Sequence, residues 1–163
     1  MPAAHDGLVT EHRAASLTVL GGARTVTGSR FLVESGDRRL LVDFGIFLGL
    51  KSLRQRYWEP FPVQPSSLDA VVVTHAHLDH CGYLPWLVRE GFAGPVYVTA
   101  DTAALMAVVL PDSGRLHEEE AEFANRIGSS RHHRALALCN EDRHRRVTAL
   151  VEDRRVRHRV HCR

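Results

Sequence analysis

The sequence predicts an α/β fold in a single domain of 163 residues. Short β-type runs alternate with helical segments, the pattern of a sheet covered by helices. One of those runs, Ala70-Val71-Val72-Val73, is wholly apolar, as a buried strand is. It leads straight into Thr74-His75-Ala76-His77-Leu78-Asp79-His80-Cys81-Gly82, where three imidazoles and a carboxylate fall within six residues, at a place where the chain turns outward.

Taken in order, residues 1–15 are polar and aperiodic and read as a mobile leader. Residues 17–20 read as a first strand ending at Gly21-Gly22, and 21–29 as a tight connection; this small, hydroxyl-rich segment lacks the spacing of a nucleotide-binding motif. Residues 31–35 and 39–43 flank Gly36-Asp37 and predict a hairpin. Its second strand ends on Asp43, a carboxylate that is costly beside Phe44-Gly45 unless it accepts a hydrogen bond from a histidine or the loop backbone. An apolar loop over 44–50 follows, then a short helix over 51–58 stopped by Pro60 and Pro62. After the 70–73 strand and the histidine loop, 84–89 reads as a helix with Tyr83 and Trp86 inward, ended by Gly91 and Gly94. Residues 95–99 form another strand. Asp101 is the expected N-cap of a helix over 102–110, Pro111-Asp112-Ser113-Gly114 the expected break, and 115–125 a further helix with Glu118, Glu119 and Glu120 near its start.

A hydrophobic share of 44% and a charged share of 25% are those of a globular domain with a real core. No apolar run approaches the length of a membrane span, and the N-terminus lacks a basic segment followed by an apolar one, so no membrane contact and a cytoplasmic location are expected. Cys81, Cys139 and Cys162 are odd in number and irregularly spaced, which argues for a reducing compartment. Charge is uneven: residues 131–163 hold ten Arg against four acidic residues, leaving 1–130 at −4 within the total of +2.

The chemistry of the histidine loop follows from residue type and spacing. Residues two apart on an extended strand end share a face, so His75 and His77 can reach one point, while Asp79 and His80, past the turn, can face a second. Imidazole nitrogen and carboxylate oxygen hold zinc, and also manganese or iron, in hydrolytic sites. Two metal ions suit the pattern, and Cys81 reads as packing.

The pattern His-x-His-x-Asp-His resembles the signature of the metallo-β-lactamase superfamily, hydrolases built as an αββα sandwich. Val26-Thr27-Gly28-Ser29, Leu41-Val42-Asp43-Phe44-Gly45, the 74–85 segment, and Asp112-Ser113-Gly114 through Glu118-Glu119-Glu120-Ala121 to Asn125-Arg126 are similar to the β-CASP branch, RNA-processing ribonucleases. The resemblance covers about residues 16–135. It implies a metallo-β-lactamase-type αββα sandwich of which the N-terminal half is present, incomplete as an isolated chain. It implies that His75 and His77 bind one zinc and Asp79 and His80 the other, with Asp43 supporting the site from behind. Asp79 and His80 are the implied catalytic residues, Asp79 orienting the water that attacks an RNA phosphodiester.

Residues 16–130 thus read as the N-terminal part of such a domain, and 131–163 as a basic Arg/His-rich tail, truncated or divergent. His158 and His161 lie outside the glycine-rich surroundings in which the family's later ligand stands and are not assigned. Two other readings stay open: a hydrolase of small esters or thioesters on the same fold, and a non-catalytic metal- or RNA-binding fragment. RNA is the expected substrate, and a second copy or a partner chain is the expected means of completing the fold.

Overall fold

The computed structural model describes residues 14–23, 25–49, 53, 56–128, 136–137 and 141–153. Strands β1 (Ala15–Gly21), β2 (Arg30–Ser35) and β3 (Arg38–Val42) form an antiparallel meander, with the Gly36-Asp37 turn where the hairpin is expected. The chain then crosses through two single turns of 3-10 helix, Arg56–Trp58 and Pro65–Ser67, to β4 (Ala70–Val72), parallel to β3. Helices α1 (Leu78–Cys81) and α2 (Leu84–Arg89) lead to β5 (Val96–Val98), and α3 (Ala100–Arg126) and α4 (Glu141–Leu150) to β6 (Val151–Asp153); both strands join in parallel. The result is one mixed six-stranded sheet in sequence order, with helices in its crossovers as parallel strands require.

Side-chain alternation sorts the sheet into two faces. Leu32, Leu41, Val71 and Val96 stand in register across four strands and are all buried. Leu84 and Leu87 of α2, Met106 and Leu110 of α3 and Val147 of α4 belong to the same cluster, so the helices cover this face. The row on the other face, Phe31, Val42, Val72 and Tyr97, is half-buried, and Val19 at its edge is exposed. The described residues therefore supply one helix-covered sheet, part of the expected sandwich.

Several local expectations need correction. The helix after β5 is capped by Thr99, whose hydroxyl accepts from the Thr102 N–H at 3.3 Å, and Asp101 lies inside the first turn. Thr99 has the extended backbone of an N-cap, and Asp101, already helical, interacts with the helix dipole instead. The helix does not break at residues 111–114 but runs unbroken for 27 residues with Pro111 inside it. An interior proline costs roughly 3 kcal/mol, yet Met106 and Leu110 before it and Ser113 and Gly114 after it are buried, and that packing outweighs local propensity. Of the helix expected over 51–58 the structure describes the turn Arg56–Trp58 and Leu53; residues 51, 52, 54 and 55 lie outside the described residues.

Residues 141–153, part of the segment read as a basic tail, form α4 and β6. Val147 is fully buried, and Val151 pairs with Val96 at the sheet edge. Val147, with Leu150 and Val151 partly buried against the same cluster, docks this strongly charged helix, which periodicity does not reveal. Residues 1–13 of the leader and 154–163 of the tail lie outside the described residues.

Candidate metal centre

Strands β3 and β4 run in parallel with Val42 beside Val72, so Asp43 and the 73–80 segment leave the sheet together. The Asp43 N–H donates to the Val72 carbonyl at 2.8 Å. Asp43 takes a φ of +59°, the one positive value at a non-glycine position among the described residues. Aspartate tolerates this left-handed geometry better than most side chains.

The loop after β3 then serves as a backbone template for the histidine loop. Phe44 N–H donates to His80 O at 2.7 Å, Ile46 N–H to Leu78 O at 3.0 Å, and Tyr83 N–H to Phe44 O at 2.9 Å. Ser29 N–H reaches Asp79 O at 2.9 Å. Gly45 sits so close that a Cβ there would lie 1.6 Å from the Asp79 carbonyl oxygen, a contact only glycine permits.

Asp43 is 2% exposed, and its carboxylate organises the side chains above it. It accepts from the Thr74 N–H at 2.8 Å and from the Thr74 hydroxyl at 2.9 and 3.0 Å, and its Oδ2 lies 2.8 Å from His80 Nδ1. The Thr74 hydroxyl spends its single proton on Asp43, so its oxygen is left to accept from His75 Nδ1 at 3.0 Å. Protons therefore sit on Nδ1 of His80 directly and of His75 through Thr74. A neutral ring with its proton on Nδ1 presents Nε2 as the free lone pair, the form a ligating imidazole takes. Burial, with the neighbouring His80 and His77 rings adding to it, holds His75 below the usual imidazole range and so favours its neutral form.

The Nε2 atoms face other donors. His75 Nε2 is 3.1 Å from His77 Nδ1, and His80 Nε2 is 3.6 Å from Asp79 Oδ2. Two nitrogens bound to one tetrahedral zinc at 2.0–2.1 Å lie about 3.3 Å apart. Two imidazole nitrogens at such a separation need a proton or a cation between them. The four expected ligands thus come together, His75 Nε2 facing His77 and His80 Nε2 facing Asp79, with the His75 ring centroid 4.0 Å from that of His80 and 4.6 Å from that of His77. Among the described residues no three His, Cys, Asp or Glu side chains form a group that could hold an ion; each pair offers two of the four donors a tetrahedral zinc takes. Cys81 is fully buried, its thiol pushed up to about 12 chiefly by burial, and its Sγ contacts the Ala76 and His77 carbonyls, which fits packing. His158 and His161 lie outside the described residues.

Asp43 lies against both the loop backbone, at the Thr74 N–H, and a histidine, at His80 Nδ1. Thr74 and Gly45 were not legible as site residues, because their partners stand 31 and 34 positions away. Arg30 was not legible either. It is 6% exposed, and its Nη2 and Nε donate to the Gly45 carbonyl at 2.9 and 3.3 Å, so it props the template from behind. Burial pushes this guanidinium down to about 10, Arg56 adding to the shift and Tyr83 and Tyr57 opposing it, which leaves it charged at neutral pH.

A family model described as the metallo-beta-lactamase superfamily matches residues 24–135. Among curated proteins, the chain is 50% identical over 99 residues to ribonuclease TTHA0252 of Thermus thermophilus, covering 61% of this chain and 22% of that protein. It is 40% identical over 106 residues to transcription termination factor FttA of Methanocaldococcus jannaschii, covering 65% and 17%. The chain thus spans about a fifth of the length of these relatives. Among solved structures it is similar to the metallo-beta-lactamase fold protein YhfI from Bacillus subtilis, with a TM-score of 0.39, 29% identity, and coverage of 53% of this chain and 39% of that one.

Proposed function

The chain belongs to the metallo-β-lactamase superfamily, the family model matching residues 24–135, and from that premise we propose that it carries the metal-binding N-terminal part of a zinc-dependent, β-CASP-type ribonuclease. The observation that carries this reading is the pairing of donors: His75 Nε2 with His77 Nδ1, and Asp79 Oδ2 with His80 Nε2, each at a spacing one ion can bridge. Relatives named as a ribonuclease and as a transcription termination factor support RNA as the substrate and a soluble, cytoplasmic setting. No described helix is long and apolar enough to cross a membrane.

In this reading His75 and His77 hold one zinc, and Asp79 and His80 the other; manganese or iron would suit the same donors. Bound there, the metals supply Lewis-acid charge beside the scissile phosphate and acidify water. The chain's own residues prepare the site for that role. Asp43, directly and through Thr74, holds two imidazoles in the tautomer that presents Nε2. The Asp79 carboxylate, 20% exposed, is placed to accept a hydrogen bond from a water and orient it. Gly45 and Ser29 fix the Asp79 backbone so that this carboxylate stays in place.

The two-donor pairs also favour a second reading, in which this chain binds metal and RNA but cleaves only once further donors are supplied. The test begins with elemental analysis of protein purified without chelator, beside His75→Ala/Asp79→Ala. Near-stoichiometric zinc in the wild type, lost in the variant, supports the site; equal metal in both, or none in either, overturns it. Metal-dependent cleavage of a labelled single-stranded RNA then separates the ribonuclease from the binding fragment, and hydrolysis of a thioester without RNA cleavage would move the assignment to a small-substrate hydrolase.

A further inference from the structure

The metal loop leaves one buried charge without an opposing partner. Among the described residues Arg30 forms no ion pair, although it is 6% exposed. Its guanidinium lies 4.5, 4.7 and 4.8 Å from the ring centroids of Phe44, Phe47 and Tyr83. The Nε and Nη2 atoms are used on the Gly45 carbonyl, and Nη1 makes no hydrogen bond among the described residues. Three π-faces and a carbonyl moderate a buried cation but do not neutralise it.

A second cation approaches the same ring. The Arg56 guanidinium stands 5.1 Å from the Phe47 centroid, and among the described residues its carboxylate contact is the Glu59 Oε2 at 3.9 Å, on a side chain 67% exposed. Arg30, Arg56 and Glu59, with Tyr57, Phe61 and Trp86, line a cavity of about 60 Å³. Its three charged groups sum to +1, which complements the single negative charge of a phosphodiester better than the double charge of a terminal phosphate. The fork of an arginine suits a phosphate's oxygens; Trp86 is already stacked on Tyr83 at 5.3 Å with Arg89 over its ring at 5.8 Å, which leaves the half-buried Phe61 ring beside an attached base. Arg30 links the cavity to the metal loop, because the Gly45 carbonyl it holds belongs to the residue packed against Asp79.

We propose that the Arg30–Arg56 cavity is a subsite for a backbone phosphodiester of single-stranded RNA, with an adjoining base against Phe61. The proposal rests on the RNA reading above and adds where a strand is gripped away from the metal donors. Arg30 serves twice, propping Gly45 with one edge of its fork and offering the other to the ligand. Arg56, partly exposed, carries the contact that can be removed without disturbing the core.

The test is fluorescence anisotropy of a fluorescein-labelled single-stranded RNA octamer with the wild type and Arg56→Ala, in chelator so that no cleavage intervenes. Arg56→Ala is expected to bind about tenfold more weakly, the loss of one charge-assisted contact, with a salt slope shallower by about one. Its melting temperature and zinc content should match the wild type, and Arg56→Lys should recover part of the affinity. Uridine monophosphate and inorganic phosphate, added as competitors, should displace the octamer only at far higher concentration. Unchanged RNA affinity in Arg56→Ala overturns the subsite and leaves the RNA reading standing. Absence of RNA binding by the wild type overturns both, and displacement by inorganic phosphate as readily as by unlabelled octamer replaces the strand with a free anion as the ligand.

Discussion

Asp43 Oδ2 lies 2.8 Å from His80 Nδ1, and the same carboxylate reaches His75 through the Thr74 hydroxyl. One buried acid therefore sets the tautomer of an imidazole in each donor pair. Asp43→Asn keeps a side chain that tolerates the φ of +59° but cannot accept on both sides as a carboxylate does. Zinc affinity is expected to fall 10- to 100-fold, read by competition with a chelating dye. Asp43→Ala should lose further stability to the left-handed backbone, about 1–2 kcal/mol; equal melting temperatures for the two variants would contradict the backbone argument.

Gly45→Ala places a methyl group 1.6 Å from the Asp79 carbonyl oxygen, so one loop must move. A loss of about 1–3 kcal/mol is expected, together with weaker zinc retention. Gly49→Ala is the control: its φ is +85° and nothing lies within 4 Å of its added Cβ. That variant should show only backbone strain, with zinc content unchanged. Zinc lost equally from both would mean that contact with Asp79 is not what matters.

Thr99→Ala removes the hydroxyl that accepts from the Thr102 N–H and is expected to cost about 1 kcal/mol in urea unfolding. Asp101→Ala removes only a favourable charge in the first turn and should cost roughly 0.3–1 kcal/mol. A larger loss at Asp101 than at Thr99 would restore Asp101 as the cap.

Cys81 is buried, and that burial pushes its thiol up to about 12, so the group stays in the unreactive thiol form at pH 8. Iodoacetamide on the native protein, followed by peptide mass spectrometry, should leave Cys81 unmodified and alkylate it only after denaturation. Rapid native labelling would show that the packing of α1 opens.

Much of the fold was legible because its signals are local. The hairpin around Gly36-Asp37, the apolar strand at β4 and the helix at α2 each follow from periodicity and turn chemistry within a few residues. The helix break expected at residues 111–114 failed for the opposite reason: Met106 and Leu110 are fixed by side chains elsewhere in the chain, and no window around Pro111 contains them. The docking of α4 through Val147 escaped notice because ten residues of mostly charged sequence show no apolar face until the sheet supplies one.

By itself, the sequence determined the donor types at His75, His77, Asp79 and His80 and the strand end that carries them, since ligand chemistry and alternation are properties of neighbouring residues. Only the tertiary structure decided which of those donors face one another, which ring nitrogen meets Asp43 or Thr74, and that Asp43, Gly45 and Arg30 stand beneath them. Asp43 meets Thr74 and His80, 31 and 37 positions on, and Gly45 meets Asp79, 34 positions on, and it is the parallel pairing of β3 with β4, a contact fixed by burial of the whole sheet, that brings these loops together.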